Sequence, residues 1–154
     1  MNDAKALLLE LLAVIPNGDR VAPLFAEDGV VELPFLHAVG MPTRYQGRPQ
    51  IKEFYDQVGR LYADFGFKPD DTKVLIVTPA QVFAEYMTHA KAAGTGRRIH
   101  HLFAGRLVAE RGQIKLLRES MNVVAAVQAL NPKGAAGLPP PPAEIFSVPS
   151  DYLS

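Results

Sequence analysis

Apolar positions along the chain follow two periods in turn, first helical and then alternating, and the switch falls after Lys68-Pro69-Asp70-Asp71. From Asp3 the run ALLLELLAVI is rich in helix formers. Asp3 is placed to cap the free amides of its first turn, and Pro16-Asn17-Gly18 to stop it. Asp19 is positioned to cap a second, short helix reaching about Ala26, whose Val21, Leu24 and Phe25 face the same core. A turn at Glu27-Asp28-Gly29 leads into a strand from Val30 to Phe35, which Pro34 confines to an edge, an end or a bulge. His37 to Gln46 has no sustained period and reads as a loop over the mouth of whatever the strands enclose. The clearest helix opens at Gly47-Arg48-Pro49. Ile51, Phe54, Tyr55, Val58, Leu61, Tyr62 and Phe65 form its apolar stripe, and Gly66 suits its C-terminal cap.

Beyond Asp71 the alternation predicts strands at about Lys73 to Thr78, Gln81 to Ala92, Arg97 to Glu110 and Gln113 to Val124. The last two meet at the tight turn Glu110-Arg111-Gly112-Gln113, where Gly112 supplies the backbone freedom a hairpin needs. Helices first and long strands last predict an α+β domain. The length of the strands favours a strongly curved, mostly antiparallel sheet closing around a pocket against the N-terminal helices. From Asn131 the composition shifts to PKGAAGLPPPPAEIFSVPSDYLS, so residues 1–130 read as the domain and 131–154 as a Pro-rich tail.

Composition narrows the function classes. With 16 basic and 16 acidic residues among 154 no net field exists to attract a polyanion, so nucleic acid is not an expected partner. The chain has no Cys, which removes disulfides, thiol nucleophiles and Cys-ligated metal. The LLLELLAVI run is broken by Glu10, lacks a basic leader with a cleavage site and is too short to span a bilayer, so it reads as a helix of a cytoplasmic protein without a membrane partner. No phosphate-binding loop or dinucleotide fingerprint is present.

Short N-terminal helices, EDGVVELPF, a loop ending in YQGRPQIKEFY and long strands closing on RGQIKLLRESMN together resemble the nuclear transport factor 2-like superfamily, which includes the SnoaL-like proteins. The resemblance covers roughly Ala4 to Leu130 and implies a cone-shaped α+β fold of the cystatin-like, ketosteroid isomerase type. RESMNVVAAVQAL from Arg118, read as the C-terminal strand, and Glu85, His89 and Lys91 on the middle strand are similar to the phenazine-biosynthesis PhzA/PhzB family. That resemblance implies a general acid/base role for Glu119. The run GRPQIKEF ends in Phe54, where that family has a histidine, and the chain has no Trp, which implies a relative with a different ligand. The superfamily also implies a homodimer.

The candidate site follows from strand alternation. Glu119 lies between Leu117 and Met121 on one strand face, which aims it into the cone, where desolvation raises the affinity of a carboxyl group for its proton. His100 and His101 point to opposite faces. His101 shares its face with Phe103 and is the better pocket candidate; His89 is a second auxiliary. Tyr55 and Tyr86 offer phenolic donors to a ligand oxygen, and Asn122 a group to orient it; Phe54 and Phe103 offer apolar contacts. No converging metal-ligand set is legible, and proton transfer needs no cofactor. The expectation is a pocket protein for a small hydrophobic or cyclic organic ligand. It is an acid/base enzyme of isomerase, cyclase, dehydratase or condensation type acting on a cyclic ketone or aminoketone, or else a non-catalytic binding or dimerisation protein of the same fold. Several polar groups converging near Glu119 favour the enzyme; a lone carboxylate among aliphatics favours binding.

Overall fold

The structure is a computed structural model and describes residues 2–138. Helix α1 (Ala4–Val14) begins as expected, with the Asp3 carboxylate accepting from the Ala6 amide. Its Leu7, Leu8, Leu11 and Leu12 are buried against the sheet. Helix α2 is shorter than expected (Gly18–Val21), because Asn17 and not Asp19 caps it by accepting from the Arg20 amide.

The chain then enters strand β1 (Phe25–Glu32) several residues early. Glu27-Asp28-Gly29 is not a turn between elements but an irregularity inside this strand, where the register slips between Phe25 and Val30. Pro34 ends the strand by starting a 3₁₀ turn, Pro34–Val39, which lies where a loop was expected. Strand β2 (Arg44–Gln46) follows, and helix α3 (Arg48–Leu61) starts with Pro at its first turn. It stops four residues before Phe65, since Tyr62–Ala63 turns extended to pair with β5 as the short strand β3. Pairing with a neighbour therefore overrides the continuing helical stripe.

Strand β4 (Phe67–Val77) starts earlier than the alternation suggests, with Pro69 tolerated on an edge strand. Strands β5 (Gln81–Ala92) and β6 (Arg98–Glu110) match the expected bounds closely. Strand β7 ends at Met121 rather than Val124 (Gln113–Met121), and the chain becomes helix α4 (Val123–Leu130). Asn122 makes that change by accepting from the Ala125 amide at 3.0 Å. Of the expected tail, Gly134–Gly137 forms a 3₁₀ turn beside α4; residues 139–154 lie outside the described residues.

The seven-stranded sheet runs β2-β1-β7-β6-β5-β3, with β4 also paired to β5. All pairs are antiparallel except β1 with β7. This mixed α+β sheet is curved and unclosed, and the N-terminal helices pack on its concave face. Register sets the rows across that face: Ala84 opposite Gly105 opposite Glu119, and next to it Tyr86 opposite Phe103 opposite Met121. No described helix is long and apolar enough to cross a membrane.

Candidate functional site

Helix α3 explains why this fold holds a cavity. Of its apolar stripe only Ile51 and Tyr55 are buried in the core, while Phe54, Val58 and Leu61 remain partly accessible because they face a hollow. That hollow has a volume of about 410 Å³, within the range of small-molecule sites. Phe65, Phe67 and Phe103 wall it on one side and Leu36, Val39 and Met41 stand at the Pro34–Met41 turn. Val123, Ala126, Val127 and Leu130 of α4 cover another side.

Glu119 and His101 line the same cavity and are its buried carboxyl and imidazole side chains, at 4% and 1% exposure. Tyr86 is fully buried behind Phe67 and Phe103 and donates its hydroxyl to Glu119 Oε1 at 2.5 Å. The contact depends on Gly105. A Cβ at that position would lie 2.0 Å from the Tyr86 hydroxyl oxygen, so the missing side chain is the space the phenol occupies. Burial pushes the Glu119 carboxyl up from 4.5 to about 7, and the Tyr86 hydrogen bond opposes that rise. A carboxyl group divided between its two protonation states at neutral pH can both remove and return a proton.

Tyr55, from α3, brings a second phenol to this end of the cavity. The residue lines the hollow, and its buried hydroxyl has no hydrogen-bond partner among the described residues. Burial and the neighbouring Glu119 charge hold its pKa well above the usual range, so it remains a donor. His101 is also unpartnered at both ring nitrogens among the described residues, and burial lowers its pKa from 6.5, which keeps the imidazole neutral.

The structure thus brings together Glu119, Tyr55, Tyr86, Phe54, Phe103 and His101, although Tyr86 touches Glu119 rather than the cavity. Two expected residues lie elsewhere. His89 is on the opposite sheet face, because β5 directs Val82, Ala84, Tyr86 and Thr88 inward and the residues between them outward. There its Nδ1 meets His100 Nδ1 at 2.5 Å, and its Nε2 lies 3.8 Å from Asp71 Oδ2. Asn122 is exposed, its side chain used in capping α4. Arg118, opposite to Glu119 on β7, joins Arg44 in an ion pair with the buried Glu32. Among the described residues no three His, Asp or Glu side chains converge as a metal site.

Sequence reasoning missed the α4 wall and the Gly105 space. The first had a signal, Asn122 ahead of the helix-forming run VVAAVQAL; the second had none, since only register sets Gly105 beside Glu119 and under Tyr86.

The SnoaL-like domain family matches residues 14–117. The chain belongs to that family. Among curated proteins no sequence relative is found. A proposed isomerase from Bacillus subtilis superimposes with a TM-score of 0.72 at 19% identity, over 82% of this chain and 91% of that one. A phenazine biosynthesis-related protein from Pseudomonas aeruginosa gives 0.70 at 22% identity, over 96% and 93%. A proposed polyketide cyclase from Xanthomonas campestris gives 0.67 at 19%, over 83% and 96%. A protein of ketosteroid isomerase-like fold from Catenulispora acidiphila, solved with trimethylamine, is similar too, with 0.66 at 16%, over 86% and 93%. Likeness at this level shows a shared fold, and the phenazine-related protein is one of several such neighbours.

Proposed function

We propose that this SnoaL-like protein is a cofactor-independent acid/base enzyme acting on a cyclic ketone, enone or aminoketone. The observation that carries this reading is the convergence at one place in a largely apolar cavity of Glu119, held from behind by its buried donor Tyr86, and the unpartnered, buried Tyr55 hydroxyl. Ionised Glu119 removes a proton from the carbon next to the carbonyl. The electron pair moves onto the carbonyl oxygen, which Tyr55 stabilises by donating its hydroxyl, and Glu119 returns the proton at a conjugated carbon or at the original one. Tyr86 is a positioning residue, fixing the carboxylate and moderating its basicity. The similarity in fold to a proposed isomerase and a proposed polyketide cyclase is consistent with such proton transfer.

The test is isomerisation of 3-cyclohexenone to its conjugated isomer, followed by ultraviolet absorbance, with deuterium exchange of ring ketones in D₂O followed by NMR. Glu119→Gln should lower either rate by about 10²- to 10⁴-fold. Saturable binding of these ketones without exchange or isomerisation would support the binding-protein reading instead. A homodimer through the outer sheet face belongs to the same proposal. Leu102 is half exposed there, and sedimentation as a monomer at micromolar concentration would count against it.

A further inference from the structure

The Tyr55 and Glu119 end of the cavity leaves one buried polar side chain without a task. His101 is 1% exposed, lines the cavity and has neither ring nitrogen partnered among the described residues. Burying an imidazole in that state is unfavourable by an amount comparable to a lost hydrogen bond or more, so the position calls for a partner that enters the cavity. His101 lies on the same β6 strand as Gly105, the residue opposite Glu119, four positions away. Four residues of strand separate the two backbone positions by about 13 Å at ~3.3 Å per residue, which sets His101 apart from the proton transfer at Glu119. Phe103 stands between them, so the wall joining the two polar ends is apolar and aromatic.

We propose that His101 is a specificity-determining residue that binds a second polar group of the ligand, a hydroxyl, at the end of the cavity remote from Glu119. The proposal rests on the reading of the Glu119 end given above and names the class of substrate it takes: a flat apolar ring system with oxygen at both ends. With the two side chains standing off one sheet face, that backbone span less a hydrogen bond of about 2.8 Å at each end leaves roughly 7–8 Å between the two ligand oxygens, about the span of two fused six-membered rings. A neutral imidazole has one donor and one acceptor nitrogen, which a hydroxyl matches and a carboxylate or an ammonium does not. The low proton affinity that burial gives His101 agrees with this choice.

Calorimetric titration with 2-naphthol and with 2,6-dihydroxynaphthalene tests it. The first places one hydroxyl at Glu119 and Tyr55; the second adds one at His101. The protein should prefer the diol by about tenfold, the value of one added hydrogen bond. In His101→Phe that preference should fall to the statistical advantage of a symmetric ligand. Imidazole nitrogen chemical shifts of the unsubstituted protein provide a readout independent of any variant's folding: the diol should move both His101 resonances and 2-naphthol neither. Equal affinity for the two naphthols, or unmoved His101 resonances with the diol bound, would overturn the proposal. If the diol preference holds while Glu119→Gln leaves ketone turnover unaltered, the acid/base reading fails and the two-ended ligand site stands.

Discussion

The hydroxyl of Tyr86 reaches Glu119 across the backbone of a third strand, passing over Gly105, the one residue of that row whose side chain would block it. A phenol from β5 and a carboxylate from β7 therefore meet although β6 lies between their strands. Their contact opposes the effect of burial on Glu119, so the carboxyl group remains able to ionise near neutrality.

Removing that donor should move the pH profile. Tyr86→Phe leaves the ionised carboxylate less well solvated, so the Glu119 pKa rises above its value of about 7 and the base-dependent limb of kcat/KM shifts to higher pH. Gly105→Ala should shift the limb in the same direction while retaining the phenol, because the new methyl displaces it, and should destabilise the fold by about 1–3 kcal/mol. Rates measured from pH 5 to 9, with urea unfolding of each variant, check both outcomes.

Tyr55→Phe should separate stability from activity. The hydroxyl lost is buried and has no partner among the described residues, so the variant should be as stable as the parent or more stable by about 1 kcal/mol. Turnover should nevertheless fall by about 10²-fold, the usual effect of deleting one donor to a developing oxyanion. Thermal unfolding and kcat on one ring ketone give both numbers.

Glu119 should make the fold less stable as the solution becomes alkaline. Its carboxyl binds a proton more tightly folded, at about 7, than unfolded, at 4.5, so between these values the native state holds more protons. The contribution is fully present below pH 4.5 and lost as pH rises through about 7, a change of roughly 3 kcal/mol. Glu119→Gln should remove this slope and be the more stable protein at pH 8. Urea midpoints at pH 5 and pH 8 would reveal an unchanged slope if the carboxyl were solvated.

Arg97 should govern how firmly α4 covers the cavity. Its guanidinium donates to the carbonyls of Gln128 and Asn131, both at 2.8 Å, and of Pro132 at 3.2 Å, and the Thr95 hydroxyl donates to Ala129. These satisfy carbonyls that the end of a helix leaves without partners. Arg97→Ala should destabilise this end by about 1–2 kcal/mol, seen as faster amide exchange confined to residues 123–132, with weaker binding of 2-naphthol as the α4 wall loosens.

Much of the architecture was legible because local patterns and tertiary needs agree. Strands β5 and β6 alternate so regularly that neighbouring residues had to take opposite faces, which separated His101 from His100, and alternation on β7 grouped Glu119 with Leu117 and Met121. The same rule put His89 with Phe83 and Glu85, yet alternation cannot say which of two mixed faces is the inner one. Tyr86, Thr88 and small alanines occupy the inner face, decided by what packs against it. Boundaries misled where a local signal met a distant partner: the α3 stripe ran on through Phe65, but pairing of Tyr62–Ala63 with β5 ended the helix.

The sequence by itself determined the periods, the α+β order and which strand residues share a face with Glu119 and with His101, since these depend on near neighbours in the chain. Only the tertiary structure decided the site. That Tyr86 serves Glu119 rather than a ligand, that Gly105 makes room for it, and that Tyr55 and His101 stay unpartnered in one cavity all follow from register between strands and from the helices laid over them. Such relations join residues far apart in the chain, and the physical quantities that fix them, a contact distance and the loss of water around a group, exist only once the chain is folded.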